Sequence, residues 1–202
     1  PCLQSVLAAA DRCARGEVEV VVVADAPADH SGEIAAEVAA ADSRVRVIEL
    51  ADRHGPGPAR AAGLAAATGE HVWFVSAFDL LLPEALPAVL DQARDVDLLT
   101  VRHVVRDVFG TERPGPPGPT GHLWDRLVRT ALARETAGLF AAGPGWERET
   151  VDRLRMAARS EAVTAHPAYV RRDLPRVLRE RSEPGSADTP RPATTDRDVR
   201  HD

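Results

Sequence analysis

The chain has no lysine and no asparagine, and all 25 of its basic residues are arginine. Lys, Asn and Ile have AT-rich codons, so the absence points to a high-GC genome and not to selection for guanidinium chemistry. A lone Arg is therefore weak evidence for a site. Basic charge is also in deficit: 25 Arg against 31 acidic residues leave a net charge of -6, which excludes a free-standing nucleic-acid binder of the usual basic kind. No apolar run reaches the roughly 20 residues that span a bilayer, and no signal-peptide pattern is present. The expected location is cytoplasmic, the inner face of the membrane included. Cysteine is scarce too. Cys2 and Cys13 fall on one helical stretch, roughly 16 Å apart at helical rise and beyond disulfide reach, so both read as small buried hydrophobes. The seven histidines show no metal-ligand spacing, and no Ser-His-Asp or Cys-His arrangement can be read.

With 44% hydrophobic and 28% charged residues over 202 positions, the composition suits one globular domain or two tightly joined halves. The opening "PCLQSVLAAADRCA" already has the spacing of an amphipathic helix and no initiator Met, so more sequence is expected upstream. "EVEVVVVAD" (17–25) is an apolar, β-branched run fit for a central parallel strand, and "SGEIAAEVAAAD" (31–42) is helical. "RVRVIEL" (44–50) follows as a strand, "PARAAGLAAAT" (58–68) as an Ala-rich helix, "HVWFVS" (71–76) as a strand and "PEALPAVLDQAR" (83–94) as a helix. This β-α-β-α-β-α rhythm predicts an α/β fold with a mainly parallel sheet and helices on both faces. Ligands of such sheets bind beyond the strand C-termini, where Asp25 and Asp79 sit.

The pattern then changes. "DVDLLTVRHVVRDVF" (95–109) reads as one or two strands, and residues 112–121 form a Pro/Gly loop joining a first half (1–111) to a second (122–180). In that second half, "HLWDRLVRTALARE" (122–135) reads as a helix, "GPGWERETVDRLRMAARS" (143–160) as a turn and helix, and "AVTAHPAYVRR" (162–172) as a last strand. Residues 181–202 have almost no apolar side chains and read as a disordered tail or a linker to a covalent neighbour domain.

Several of these segments carry a resemblance. "VEVVVVADAPADHSGEIAAEVAAADSRVRVIEL" resembles the opening of a family 2 glycosyltransferase, where a strand ending in Asp-Asp-Gly-Ser precedes a helix and a second strand. "GPGPARAAGLAAATGEHVWFV" is similar to the family's next stretch, with Arg60, Gly63, Thr68, Gly69 and Glu70 in matching places. "HLWDRLVRTALARE" and "GPGWERETV" resemble a later Trp-bearing segment and an acidic pair before a helix. A narrower likeness is to the glycosyltransferase-like N-terminal domain of bifunctional CDP-glycerol glycerophosphotransferase proteins. The resemblance implies a GT-A fold, a nucleotide diphosphate sugar across the strand ends, and an acceptor that is a glycan, a lipid or a wall polymer. It also implies that the family's first strand, which would precede Pro1, is absent, leaving neighbouring strand edges open.

Carried over residue by residue, the resemblance makes Asp25, Arg60 and Asp79 candidate donor-binding residues, Trp124 an acceptor-binding one, and Glu147 or Glu149 the catalytic base. Each also has a plain reading. Asp25 suits a turn, Asp29 a loop before a helix, Arg60 an exposed face, Trp124 a core position, and Glu147 and Glu149 a helix N-terminus whose dipole favours acids. Pro56 and Pro58 remove two N–H donors from any phosphate cradle in "HGPGPARAAG". The family's metal-holding Asp-x-Asp reads Ser76 and Phe78 here, so no metal residues are assigned and a divalent cofactor (Mg or Mn) is in doubt. Two functions stay open: a sugar transferase acting on an acceptor hydroxyl, and a degenerate GT-A domain that binds or scaffolds. A Rossmann-type dinucleotide enzyme is disfavoured because no Gly-x-Gly-x-x-Gly follows the first visible strand.

Overall fold

The computed structural model describes residues 1–14, 17–116, 120–136, 140 and 145–174. The chain opens with helix α1 (Cys2–Ala10), which buries Ala9 and Ala10. Strand β1 (Val20–Asp25) begins with four consecutive valines, whose branched side chains favour the extended backbone. Helix α2 (Ser31–Ala41) carries it over to β2 (Val45–Leu50), and the two strands pair in parallel from Val20–Val45 to Asp25–Leu50. Helix α3 (Pro56–Ala66) starts on Pro56, where a missing N–H costs nothing, after Gly55 at φ 90°, a left-handed conformation that suits glycine. Its small residues let it approach β1 closely: a Cβ on Gly63 would stand 3.3 Å from a Val23 methyl.

Next come β3 (His71–Trp73), β4 (Leu80–Leu81), α4 (Ala85–Ala93), β5 (Leu98–Thr100) and β6 (His103–Arg106). The chain continues through β7 (Glu112–Pro114), a 3-10 turn (Leu123–Asp125), β8 (Arg126–Arg129), α5 (Thr130–Glu135), α6 (Trp146–Ala157), β9 (Glu161–Val163) and β10 (Tyr169–Arg172). The fold is of the α/β class, with helices packed on mixed sheets. Strands β3-β8-β5-β9 form one four-stranded sheet and β4-β10-β6-β7 another. Among the described residues, β1 pairs with β2 alone and β3 with β8 alone, so each keeps one edge without a strand.

Four details correct the sequence expectations. The pairing is mixed and not mainly parallel: β1–β2, β5–β9 and β6–β10 are parallel, whereas β8 runs antiparallel between β3 and β5. Residues 122–135 are not one helix. Arg126–Leu127–Val128 is buried on both faces as the central strand β8, and only Thr130–Glu135 is helical; cross-strand pairing overrides the helical spacing of its leucines. Glu112–Pro114, expected as loop, is an edge strand on β6, a place where proline's missing N–H is tolerated. Residues 162–172 divide into β9 and β10, which belong to different sheets.

Two apolar clusters form the core. Leu81, Val89, Leu99, Trp124, Leu127 and Tyr169 centre one, and Leu64, Leu98, Leu123, Val128, Val151 and Leu154 the other. Each such side chain contributes about 1.5–3 kcal/mol on burial. No described helix is long and apolar enough to cross a membrane. The expected tail, 181–202, lies outside the described residues.

Candidate functional site

Asp25 ends β1, and its carboxylate accepts hydrogen bonds from the His54 N–H at 2.7 Å and the Gly55 N–H at 2.8 Å. It therefore fixes the turn that launches α3, one turn before Arg60. Asp29, two residues before α2, accepts from the Ser31 N–H at 2.9 Å and serves that loop.

Arg60 projects from α3 toward the start of α6. Its guanidinium lies 5.3 Å over the Trp146 ring, and Nη2 is 3.9 Å from Glu147 Oε1. Glu147 sits in the first turn of α6, after Gly145 in the left-handed conformation at φ 85°. Its Oε1 accepts the Leu123 N–H at 3.0 Å and its Oε2 pairs with His122 Nδ1 at 2.9 Å. Thus Arg60 and Glu147, distant in sequence, converge with His122 on one partly exposed spot. Burial raises the Glu147 pKa, but the His122 hydrogen bond, the Arg60 charge and the Leu123 N–H outweigh it, holding the carboxyl below its ordinary range. The same hydrogen bond raises the His122 pKa, against burial. The pair shares a proton bridge beside a permanent cation.

The remaining expected residues are placed differently. Glu149 is exposed and pairs loosely with Arg153 one turn on, at 3.9 Å, away from this cluster. Trp124 is 7% exposed. It stacks on Tyr169 at 5.0 Å, meets His103 edge-on at 4.7 Å, and backs His122 at 5.8 Å. It is thus a core residue that supports His122 and presents little surface to an acceptor. Asp79 is 5% exposed; its carboxylate accepts the Tyr169 O–H at 2.8 Å and the Arg172 N–H at 2.8 Å, and burial raises its pKa. It holds β10 against the turn after β3. We expect Asp79→Ala to cost about 1–3 kcal/mol of stability, because buried donors are left unmet, with nucleotide affinity unchanged. Thermal melts and a nucleotide titration check this; intact stability with lost affinity would restore Asp79 to donor binding.

Nor does this strand end fit a divalent cation. Asp79 is buried, with one oxygen bonded to the Tyr169 O–H and the other to the Arg172 N–H, Ser76 Oγ faces the Phe78 N–H at 3.4 Å, and Phe78 offers a ring. Among the described residues no three His, Cys, Asp or Glu side chains come together as a metal set.

The family model described as glycosyl transferase family 2 matches residues 1–141. The chain belongs to glycosyl transferase family 2. An uncharacterized glycosyltransferase of Nostoc sp. is 30% identical over 145 residues, covering 68% of this chain and 44% of that protein. The succinoglycan biosynthesis protein ExoO of Rhizobium meliloti is 41% identical over 76 residues, 38% of this chain and 21% of the relative. The chain thus spans less than half the length of these two relatives. Among solved structures, S. aureus TarS matches with TM-score 0.69 and 22% identity over 85% of this chain and 33% of its own. TarS 1–349 in complex with UDP-GlcNAc matches with TM-score 0.69 and 20% identity, over 86% of this chain and 54% of that one. At this identity the likeness establishes the GT-A-like fold.

His122 and Trp146 join the site only through the fold, His122 by its bond to Glu147 and Trp146 by its stacking under Arg60, and neither shows a spacing in the sequence that marks it. The nearest signal was the position of His122 two residues before Trp124, inside a matched segment. The Asp79–Tyr169–Arg172 contact had no local signal at all.

Proposed function

We propose that this family 2 domain transfers a sugar from a nucleotide diphosphate donor to an acceptor hydroxyl of a cell-envelope glycan, lipid or wall polymer, on the cytoplasmic side of the membrane. The observation that carries this reading is the convergence of Arg60 and Glu147, with Nη2 and Oε1 3.9 Å apart. Glu147 takes the proton from the acceptor hydroxyl as that oxygen bonds to the sugar's anomeric carbon. The bond from that carbon to the diphosphate oxygen breaks, and the electron pair leaves with the diphosphate. Arg60 supplies positive charge to the departing oxygens. Asp25 holds the turn before α3 and keeps lone pairs for the donor's base or ribose. Trp124 shapes the acceptor side through His122.

The strand-end residues do not fit a divalent cation, so the charge that meets the leaving diphosphate comes from the chain's own arginine. Calorimetric titration of UDP, CDP and GDP is expected to give the same affinity with Mn and with a chelator. Binding that needs Mn would overturn the assignment of Arg60 as the charge source. A second reading, a domain that binds nucleotide or scaffolds a neighbouring transferase such as a CDP-glycerol glycerophosphotransferase unit, is favoured by Ser76 and Phe78 standing where carboxylates are expected. Assaying the full-length gene product for donor hydrolysis separates the two.

A further inference from the structure

Arg126 is the largest fully buried side chain among the described residues, and only part of its guanidinium is hydrogen-bonded. It stands at the start of β8, 0% exposed, with Nη1 donating to the Asp125 carbonyl at 3.0 Å and to the Asp125 carboxylate. Its Nε and Nη2 have no hydrogen-bond partner among the described residues. Asp125, 1% exposed, is fully engaged, because its Oδ2 accepts the Thr120 N–H at 3.1 Å and the Thr120 O–H at 2.7 Å. The unmet edge of the guanidinium, Nε with Nη2, is the side-on fork that grips two oxygens of one oxyanion. The charge is paired with Asp125, but two buried N–H groups without acceptors are costly, so an acceptor from outside the chain is the physical expectation.

That arginine lines a cavity of about 130 Å³, shared with Thr120, Gly121, Arg148, Asp152 and Arg155. At about 30 Å³ per water the space equals roughly four waters, enough for a phosphate-sized group and below the roughly 300–1,000 Å³ of a whole-ligand site. Three arginines face one aspartate across it. Arg155 is partly offset by Glu161 at 3.7 Å, while Arg148 makes no ion pair among the described residues. The cavity also adjoins the candidate site, since Gly121 precedes His122 and Arg148 follows Glu147.

We propose that this cavity is a phosphate-binding subsite, taking a phosphodiester or phosphate group of the acceptor with Arg126 as its buried clamp and Arg148 as its outer contact. The assignment of the group to the acceptor rests on the transferase reading above; the binding of phosphate does not. An anionic acceptor anchored here presents a neighbouring hydroxyl toward Glu147, and neutral glycans gain nothing from the same cavity.

The test is calorimetric titration of the chain with inorganic phosphate and, separately, with a dimethyl phosphate or glycerol phosphodiester, on the wild type and Arg148→Ala. Arg148 is exposed, so this substitution leaves the fold intact where Arg126→Gln does not. We expect one saturable site, weakened roughly tenfold in Arg148→Ala, the worth of one charge-assisted hydrogen bond, with UDP affinity unchanged. Tighter binding of the diester than of free phosphate supports the acceptor assignment; binding of inorganic phosphate alone overturns it. No binding of either probe, binding indifferent to Arg148→Ala, or displacement by UDP each overturns the subsite. If UDP binding and donor hydrolysis fail while phosphate still binds, the transferase reading falls and the subsite stands.

Discussion

Glu147→Gln is expected to reduce sugar transfer by about 10²- to 10⁴-fold, the worth of a positioned general base, while leaving nucleotide affinity within about twofold. The amide oxygen can still accept the Leu123 N–H, so the start of α6 keeps its anchor, but the side chain can no longer take a proton. Glu149→Gln is the internal control, because Glu149 is exposed and apart from the cluster, and it should be silent. The substitution also changes how stability responds to pH. Glu147 has a lowered pKa, so its contribution is complete above the ordinary value of about 4.3 and is lost as pH falls through the folded value. His122 has a raised pKa, so its contribution is complete below about 6.5 and is lost as pH rises through the folded value. The stability difference between wild type and Glu147→Gln should therefore peak between those two ordinary values. Melting curves across that range check it; a pH-independent difference would mean that the His122–Glu147 bond contributes nothing. Transfer retained in Glu147→Gln would remove it as the base.

Why this pair escaped full recognition in the sequence is a matter of range. The valine run of β1, the proline-led start of α3 (expected at Pro58, found at Pro56) and the alternation of strands and helices are local signals, each fixed by a few neighbouring residues, and they were readable. Arg60 and Glu147 were each readable only through the family likeness, since nothing local says that the face of α3 meets the first turn of α6. Trp124 and Asp79 show the opposite case. Both matched functional positions, yet Trp124 is held in the core by Tyr169 and His103, and Asp79 by Tyr169 and Arg172. Tyr169 and Arg172 arrive from β10, some 90 residues after Asp79, and His103 from β6, and only the folded chain brings them in. The β8 segment failed for a related reason. Its alternation is hidden because both faces of Arg126–Val128 are buried, and a doubly covered strand carries no period of two.

Arg60→Ala is expected to weaken nucleotide diphosphate binding about 10- to 100-fold with little change in melting temperature, since one charged donor set to phosphate is lost at a partly exposed position. The geometry explains why Arg60 can be released to a donor. Its contact with Glu147, 3.9 Å, is at the outer limit of an ion pair, and its other hold is the face of Trp146 at 5.3 Å. Stacking keeps the plane of the guanidinium oriented while leaving its N–H edge available. A diphosphate carries more charge than one carboxylate, so the edge turns to it without giving up the stack. Arg60→Lys should restore little, because an ammonium is a point charge without the two-pronged edge. A further consequence falls on Glu147. Without the Arg60 charge, its pKa should move back up toward the ordinary carboxylate range, and residual activity in Arg60→Ala should shift its acid limb to higher pH. Nucleotide titration and a pH–rate profile of the variant read both effects. Unchanged affinity with a shifted profile would leave Arg60 as the counter-ion of Glu147 alone. Lost affinity with an unshifted profile would separate the donor contact from the base. Both together are what one arginine shared between leaving group and base requires.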